Sequence, residues 1–106
     1  LLNITNDAWY GQSAGPHQHL AISRMRAIEE GLPLIRVANT GISAAFDATG
    51  VEIARIPLEQ AASIDVKLPP PNPPTRYAQY GDTLYGLLLA FSLALAFFFR
   101  RREQSA

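Results

Sequence analysis

The run from Thr83 to Phe99 carries no charged side chain, is built mainly from Leu and Phe, and is followed at once by Arg100, Arg101 and Arg102. A segment like this either crosses a membrane as a helix or is buried in the core of a larger domain. At 1.5 Å per residue it spans roughly 25 Å, the short end of what a hydrocarbon core requires. Its leucines and phenylalanines together favour insertion by about 5 kcal/mol, less the costs of Thr83, Tyr85, Gly86 and Ser92. Tyr77, Tyr80 and Tyr85 cluster at one end, where amphipathic rings prefer the headgroup region, and the arginines at the other end can snorkel. The positive-inside rule puts the C-terminus in the cytoplasm and residues 1–80 on the outer side. A signal peptide is excluded by position, because the run lies near the C-terminus.

Before that span comes Pro69-Pro70-Pro71-Asn72-Pro73-Pro74. Prolines in such density neither continue a helix nor donate to a sheet, so the stretch predicts an extended, semi-rigid spacer. The expected organisation is an α/β part over residues 1–68 and a proline-rich linker with interface segment over 69–82. A transmembrane helix over 83–99 and a cytoplasmic tail over 100–106 complete it.

The first 68 residues alternate strand and helix. Leu1–Thr5 reads as a strand, Gly11 to Pro16 as a loop, and a helix begins near Pro16 and runs to about Glu30, capped by Gly31 with Pro33 beyond. Ala21, Met25, Ile28 and Leu32 share one helical face, the face expected to pack on a sheet. Leu34–Ala38 and Ile42–Phe46 read as strands joined through Asn39-Thr40-Gly41. A turn at Asp47–Gly50 leads to a further strand through Val51, Ile53 and Ile56, and Ser63–Leu68 alternates as another. A strand at residue 1 and a half-covered sheet predict that the chain is the C-terminal piece of a larger protein.

Nine Lys+Arg balance nine Asp+Glu, so no basic footprint for nucleic acid exists. With no cysteine, these residues hold no disulfide, thiolate zinc site or cysteine nucleophile. His17 and His19 do not make a metal site, since helical positions two apart point about 200° from one another. A structural hydrogen bond or solvent exposure is the expectation for both.

Four ordered blocks carry a resemblance: Asn6-Asp7-Ala8-Trp9-Tyr10-Gly11, then Gly15-Pro16-His17-Gln18-His19, then Arg24-Met25-Arg26-Ala27-Ile28-Glu29, then the segment from Pro33 to Ala44. With the proline-rich exit, Tyr77-Ala78, Gly81-Asp82 and the final apolar run, they closely resemble the end of the apolipoprotein N-acyltransferase family. The resemblance implies the C-terminal part of a nitrilase-like α-β-β-α sandwich followed by one transmembrane helix. It places the chain in the bacterial cytoplasmic membrane with that domain in the periplasm. It also implies acyl transfer from a phospholipid donor to the N-terminal diacylglyceryl-cysteine amine of a lipoprotein. The family's cysteine thiolate, glutamate base and lysine carry that chemistry, with no cofactor or metal. None of the three maps onto this sequence; they are expected upstream of Leu1, and this chain alone is expected to be inactive.

The substrate-binding candidates are Trp9, Tyr10, Asn6, Asp7, Asn39 and Thr40. Trp9 and Tyr10 have flat amphipathic rings suited to an acyl chain, although Trp9 suits a core indole equally. Asn6 and Asp7 can orient other groups, but an Asn-Asp pair ending a strand is also an ordinary turn, the reading preferred here. Asn39-Thr40-Gly41 offers backbone donors and serves equally as a strand connection. Arg24, Arg26 and Arg36 are expected to pair with Glu29, Glu30 or Asp47, unless one engages a phospholipid phosphate. Two other classes remain open: a membrane-anchored amidase of the nitrilase superfamily, and a non-catalytic tail-anchored binding module.

Overall fold

The computed structural model describes residues 1–104 and shows a mixed α/β arrangement, as the sequence predicts. The strands are β1 (Leu2–Asn6), β2 (Leu34–Asn39), β3 (Ser43–Phe46) and β4 (Glu52–Ile56), and the helices are α1 (Gly15–Glu30), α2 (Arg76–Tyr80) and α3 (Thr83–Gln104). Pro16 sits in the first turn of α1, where its missing N–H costs nothing. Gly31 closes the helix at φ 66°, ψ 31°, a conformation that favours glycine.

The sheet order is β1-β2-β3-β4. β1 and β2 are parallel, in register Leu2↔Ile35 to Asn6↔Asn39, and α1 is the crossover between them. β2, β3 and β4 continue as antiparallel hairpins, with an irregularity between Ala45 and Phe46. Leu20 and Ala27 of α1 meet Leu34, Ala44 and Phe46 of the sheet, with Ile42 beside them. Burying a side chain such as Phe46 or Leu20 stabilises the domain by about 1.5–3 kcal/mol.

The helix face that packs is not the one expected. Pro16, Leu20, Ser23 and Ala27 are buried, whereas Ala21 is exposed and Met25 and Ile28 are 53% and 38% exposed. The polar Ser23 lies on the packed side because its hydroxyl serves a buried arginine of β2. Hydropathy alone therefore points to the wrong face.

Ser63–Leu68 is not a strand. The segment has no regular structure, and Ile64, Asp65 and Val66 instead border a shallow cavity with Ile35, Ala45, Ala54 and Ile56 on the sheet face opposite α1. A strand needs an edge to pair with, and this stretch crosses the sheet instead of extending it. Elsewhere on that face Leu2, Ile4 and Val37 remain exposed.

The proline segment is tied to the domain. Asn72 N–H donates to Gly31 O at 2.9 Å, and the Thr75 hydroxyl bonds to Glu29 O. Thr75 also caps α2, a short helix the sequence reading did not resolve, by accepting from Ala78 N–H at 3.0 Å. Beyond Gly81, α3 runs through Phe99 and the arginines to Gln104, and none of its apolar window is buried. By length and composition it is able to cross a membrane. The end of the expected 100–106 tail lies outside the described residues.

Candidate functional site

The carboxyl ends of β1 and β2 lie side by side because the two strands are parallel and in register, and loops leaving such strand ends are where open α/β sheets build sites. The loop after β1 holds Asp7 and a single 3-10 turn, Ala8–Tyr10. The loop after β2 holds Thr40 and Gly41. Asp7 N–H donates to Asn39 O at 3.1 Å, which joins the two loops through the backbone.

Asn6 and Thr40 strengthen that junction. Asn6 Oδ1 accepts from Ala8 N–H and from Thr40 Oγ1, both at 3.0 Å. Thr40 holds φ 52°, a left-handed value that a β-branched residue rarely adopts. Its single hydroxyl proton is shared between two acceptors, Asn39 O at 2.7 Å and Asn6 Oδ1 at 3.0 Å, which offsets part of the strain. Gly41 is required by close approach, because a Cβ there would lie 2.5 Å from Asp7 Oδ2.

Beneath the junction lies an ionic cluster. Asp7 and Arg36 are each 1% exposed. Arg36 Nη2 donates to Asp7 Oδ2 at 2.8 Å, Nη1 donates to Asn3 Oδ1 at 2.6 Å and Ser23 Oγ at 2.8 Å, and Nε donates to Ile42 O at 3.3 Å. A guanidinium remains charged when buried, so it persists only where acceptors surround it and a carboxylate pairs with it. Both conditions hold here.

His19, in α1, completes the cluster, with Nδ1 2.7 Å from Asp7 Oδ1 and 3.2 Å from Arg36 Nη2. The shorter contact and the acceptor-only carboxylate assign the proton to Nδ1, which donates to Asp7. The Tyr10 and His19 rings form a T-shaped pair, centroids 6.1 Å apart at 60°. Trp9, between Ala8 and Tyr10, is 89% exposed and so is no core indole among the described residues.

Asn6, Asp7, Asn39 and Thr40 thus stand together at two strand ends, with Trp9 and Tyr10 projecting from the adjoining turn. The expected arginine pairings divide. Arg26 bonds to Glu29 and Glu30 at 2.7 and 3.0 Å, and Tyr77 heads the interactions that raise its pKa. Arg24 donates to Gly50 O at 2.6 Å. Arg36 pairs with Asp7 rather than with Glu29, Glu30 or Asp47, and its burial removes it from contact with a phosphate headgroup. His19 has a carboxylate partner after all, although spacing along the chain offers none. Nothing in the sequence periodicity signals the partnership of Asp7, His19 and Arg36, because a parallel strand pair and its crossover helix bring them together.

The carbon-nitrogen hydrolase family model matches residues 1–70, and the chain belongs to that family. Its relatives are more particular. The chain is 50% identical over 91% of its length to the apolipoprotein N-acyltransferase of Bradyrhizobium diazoefficiens. It is 46% identical to the proteins of the same name from Rickettsia bellii, over 86% of its length, and Vibrio vulnificus, over 99%. The chain spans about a fifth of the length of these relatives, 18%, 18% and 21% respectively.

Proposed function

We propose that these residues form the C-terminal part of an enzyme that moves an acyl chain from a phospholipid to the N-terminal amine of a diacylglyceryl-cysteine lipoprotein. The observation that carries this reading is the extent of the similarity. The hydrolase family model ends at residue 70, whereas likeness to proteins named apolipoprotein N-acyltransferase continues over 99% of the chain, α3 included. An amidase acting on a soluble substrate gives no reason for that continuation.

In this reading a cysteine thiolate outside these residues attacks the ester carbonyl of the donor and expels the lysophospholipid, whose alkoxide takes a proton from a general acid. The lipoprotein amine then attacks the thioester, loses a proton to a general base and releases the thiolate. A glutamate and a lysine, also outside these residues, serve as base and oxyanion donor. From this chain Trp9 and Tyr10 form an aromatic wall for the acyl substrate, and Asn6, Asp7, Asn39 and Thr40 shape the loops that hold it. The organisation is a hydrolase-like part over 1–68, a linker over 69–82, a membrane span over 83–99 and a cytoplasmic tail over 100–106. The hydrolase-like part faces the periplasm from the bacterial cytoplasmic membrane.

The test uses the complete polypeptide that carries these residues, purified in detergent, with a phospholipid labelled in its acyl chain and a synthetic diacylglyceryl lipopeptide. Label appearing on the peptide amine supports the proposal. Release of ammonia from simple amides with no acylated peptide points to an amidase and refutes it. In the active enzyme, Trp9→Ala is expected to slow acyl-enzyme formation or its resolution about tenfold.

A further inference from the structure

The buried cluster of Asp7, His19 and Arg36 does more than fill the space under the sheet. Asp7 bears the ion pair and also heads the turn that presents the aromatic residues. Its carbonyl accepts from Tyr10 N–H at 3.0 Å while both its carboxylate oxygens are engaged below. Arg36 is held from three sides, by Asn3 of β1, Ser23 of α1 and Ile42 O of the connection into β3. The Asp7 carboxylate is therefore fixed to the rigid part of the domain, and the turn hangs from it. His19 supplies the second point of attachment, because its Nδ1 proton holds Asp7 Oδ1 while its ring packs against that of Tyr10 in a T-shaped pair.

The rest of the turn has few anchors. Besides the Asp7–Tyr10 bond, Ala8 N–H donates to Asn6 Oδ1 and Gly11 N–H reaches Ala8 O at 3.4 Å. None of its residues Ala8–Tyr10 is buried. Apart from the Tyr10 side chain, which lies against Gly15, the turn is exposed, and such a 3-10 turn has a low local opening free energy unless something beneath it is rigid. Here that support is ionic, and His19 is its one member with appreciable exposure, its side chain at 31% against 0% for Asp7 and Arg36.

We propose that Asp7, His19 and Arg36 act as a latch that positions the Trp9–Tyr10 turn for the acyl substrate, with His19 as a positioning residue. This inference rests on the proposed function for the substrate and on the structure alone for the latch, and the two are tested separately. His19 takes no part in bond making. Its imidazole sets where the aromatic rings stand, so its loss should weaken substrate capture more than turnover.

The experiment compares wild type, His19→Ala and His19→Asn in the complete polypeptide. An asparagine amide can donate to Asp7 from nearly the position of Nδ1, whereas alanine cannot. Hydrogen exchange read by mass spectrometry over residues 8–11 reports the latch without reference to activity. Steady-state acyl transfer from phospholipid to the lipopeptide reports its use. The expected result is exchange at least tenfold faster over the turn in His19→Ala, and a KM for the acyl donor raised about tenfold with kcat changed less than threefold. His19→Asn should return both toward wild type. Unchanged exchange in His19→Ala overturns the latch. Faster exchange with KM unmoved, or a fall in kcat alone, overturns its role toward substrate. A wild-type protein that transfers no acyl chain overturns the proposed function instead and leaves the exchange result standing.

Discussion

Replacing Arg36 with Met leaves the Asp7 carboxylate buried with a single donor. Arg36 donates four hydrogen bonds, to Asp7 Oδ2, Asn3 Oδ1, Ser23 Oγ and Ile42 O. Methionine matches the aliphatic stem, so lost packing contributes little, and the cost is electrostatic. Breaking a fully buried pair by removing one partner costs about 3–5 kcal/mol, mainly the penalty of a charge left uncompensated. Because tenfold corresponds to 1.4 kcal/mol, the amides of β1 and β2 should exchange roughly 10²- to 10³-fold faster, or more, in native-state hydrogen exchange of the complete polypeptide. Arg36→Lys keeps the charge but loses the planar fork, so it should fall between, at about 1–3 kcal/mol. The double variant Asp7→Leu/Arg36→Met, with no stranded charge, should be less destabilised than Arg36→Met alone. Exchange in Arg36→Met within threefold of wild type would refute the reasoning, since the cluster would then be no support at all.

Three further outcomes are expected. Gly41→Ala drives a methyl against Asp7 Oδ2 and the Ala38 side chain, so it should destabilise the junction of the two loops by about 1–3 kcal/mol, read by the same exchange measurement; a neutral effect would show that the loops yield freely. Asp47 accepts from Thr49 N–H, Thr49 Oγ1 and Val51 N–H, and these bonds hold its carboxyl below the usual carboxylate range. The stability it contributes to the β3–β4 turn is present above the unfolded value, near pH 4, and is lost as pH falls through the lower folded one; Asp47→Asn should abolish that part of the acid dependence of amide protection at Gly50 and Val51. Reporter fusions at the C-terminus should give a cytoplasmic signal, and a periplasmic one would reverse the proposed orientation.

Glu52 and Arg55 form a contrasting ion pair at the surface. The Arg55 guanidinium, at 2.7 Å, lowers the Glu52 pKa, yet the pair is part exposed on β4 and contributes little to stability. The Asp7 and Arg36 pair, at a nearly equal distance, is decisive because water cannot reach either group.

The sequence by itself determined the punctuation of this protein and its division into a sheet-forming part and an apolar helix. Pro16 and Gly31 bound α1, Thr49-Gly50 turns β3 into β4, and the run after Thr83 is helical, because each signal is a local conformational preference acting within a few residues. The resemblance to acyltransferases was legible in the same way, as ordered blocks later matched by relatives over most of the chain. Tertiary structure alone decided which face of α1 is buried, since Ser23 is drawn inward by Arg36 while Met25 is left outside. It alone showed that Ser63–Leu68 crosses the sheet without pairing. It also brought Asp7, His19 and Arg36 together across separations of 12, 17 and 29 residues. Periodicity reports how a residue stands to its near neighbours in the chain, whereas a buried charge finds its partner through the pairing of β1 with β2, which no local pattern encodes.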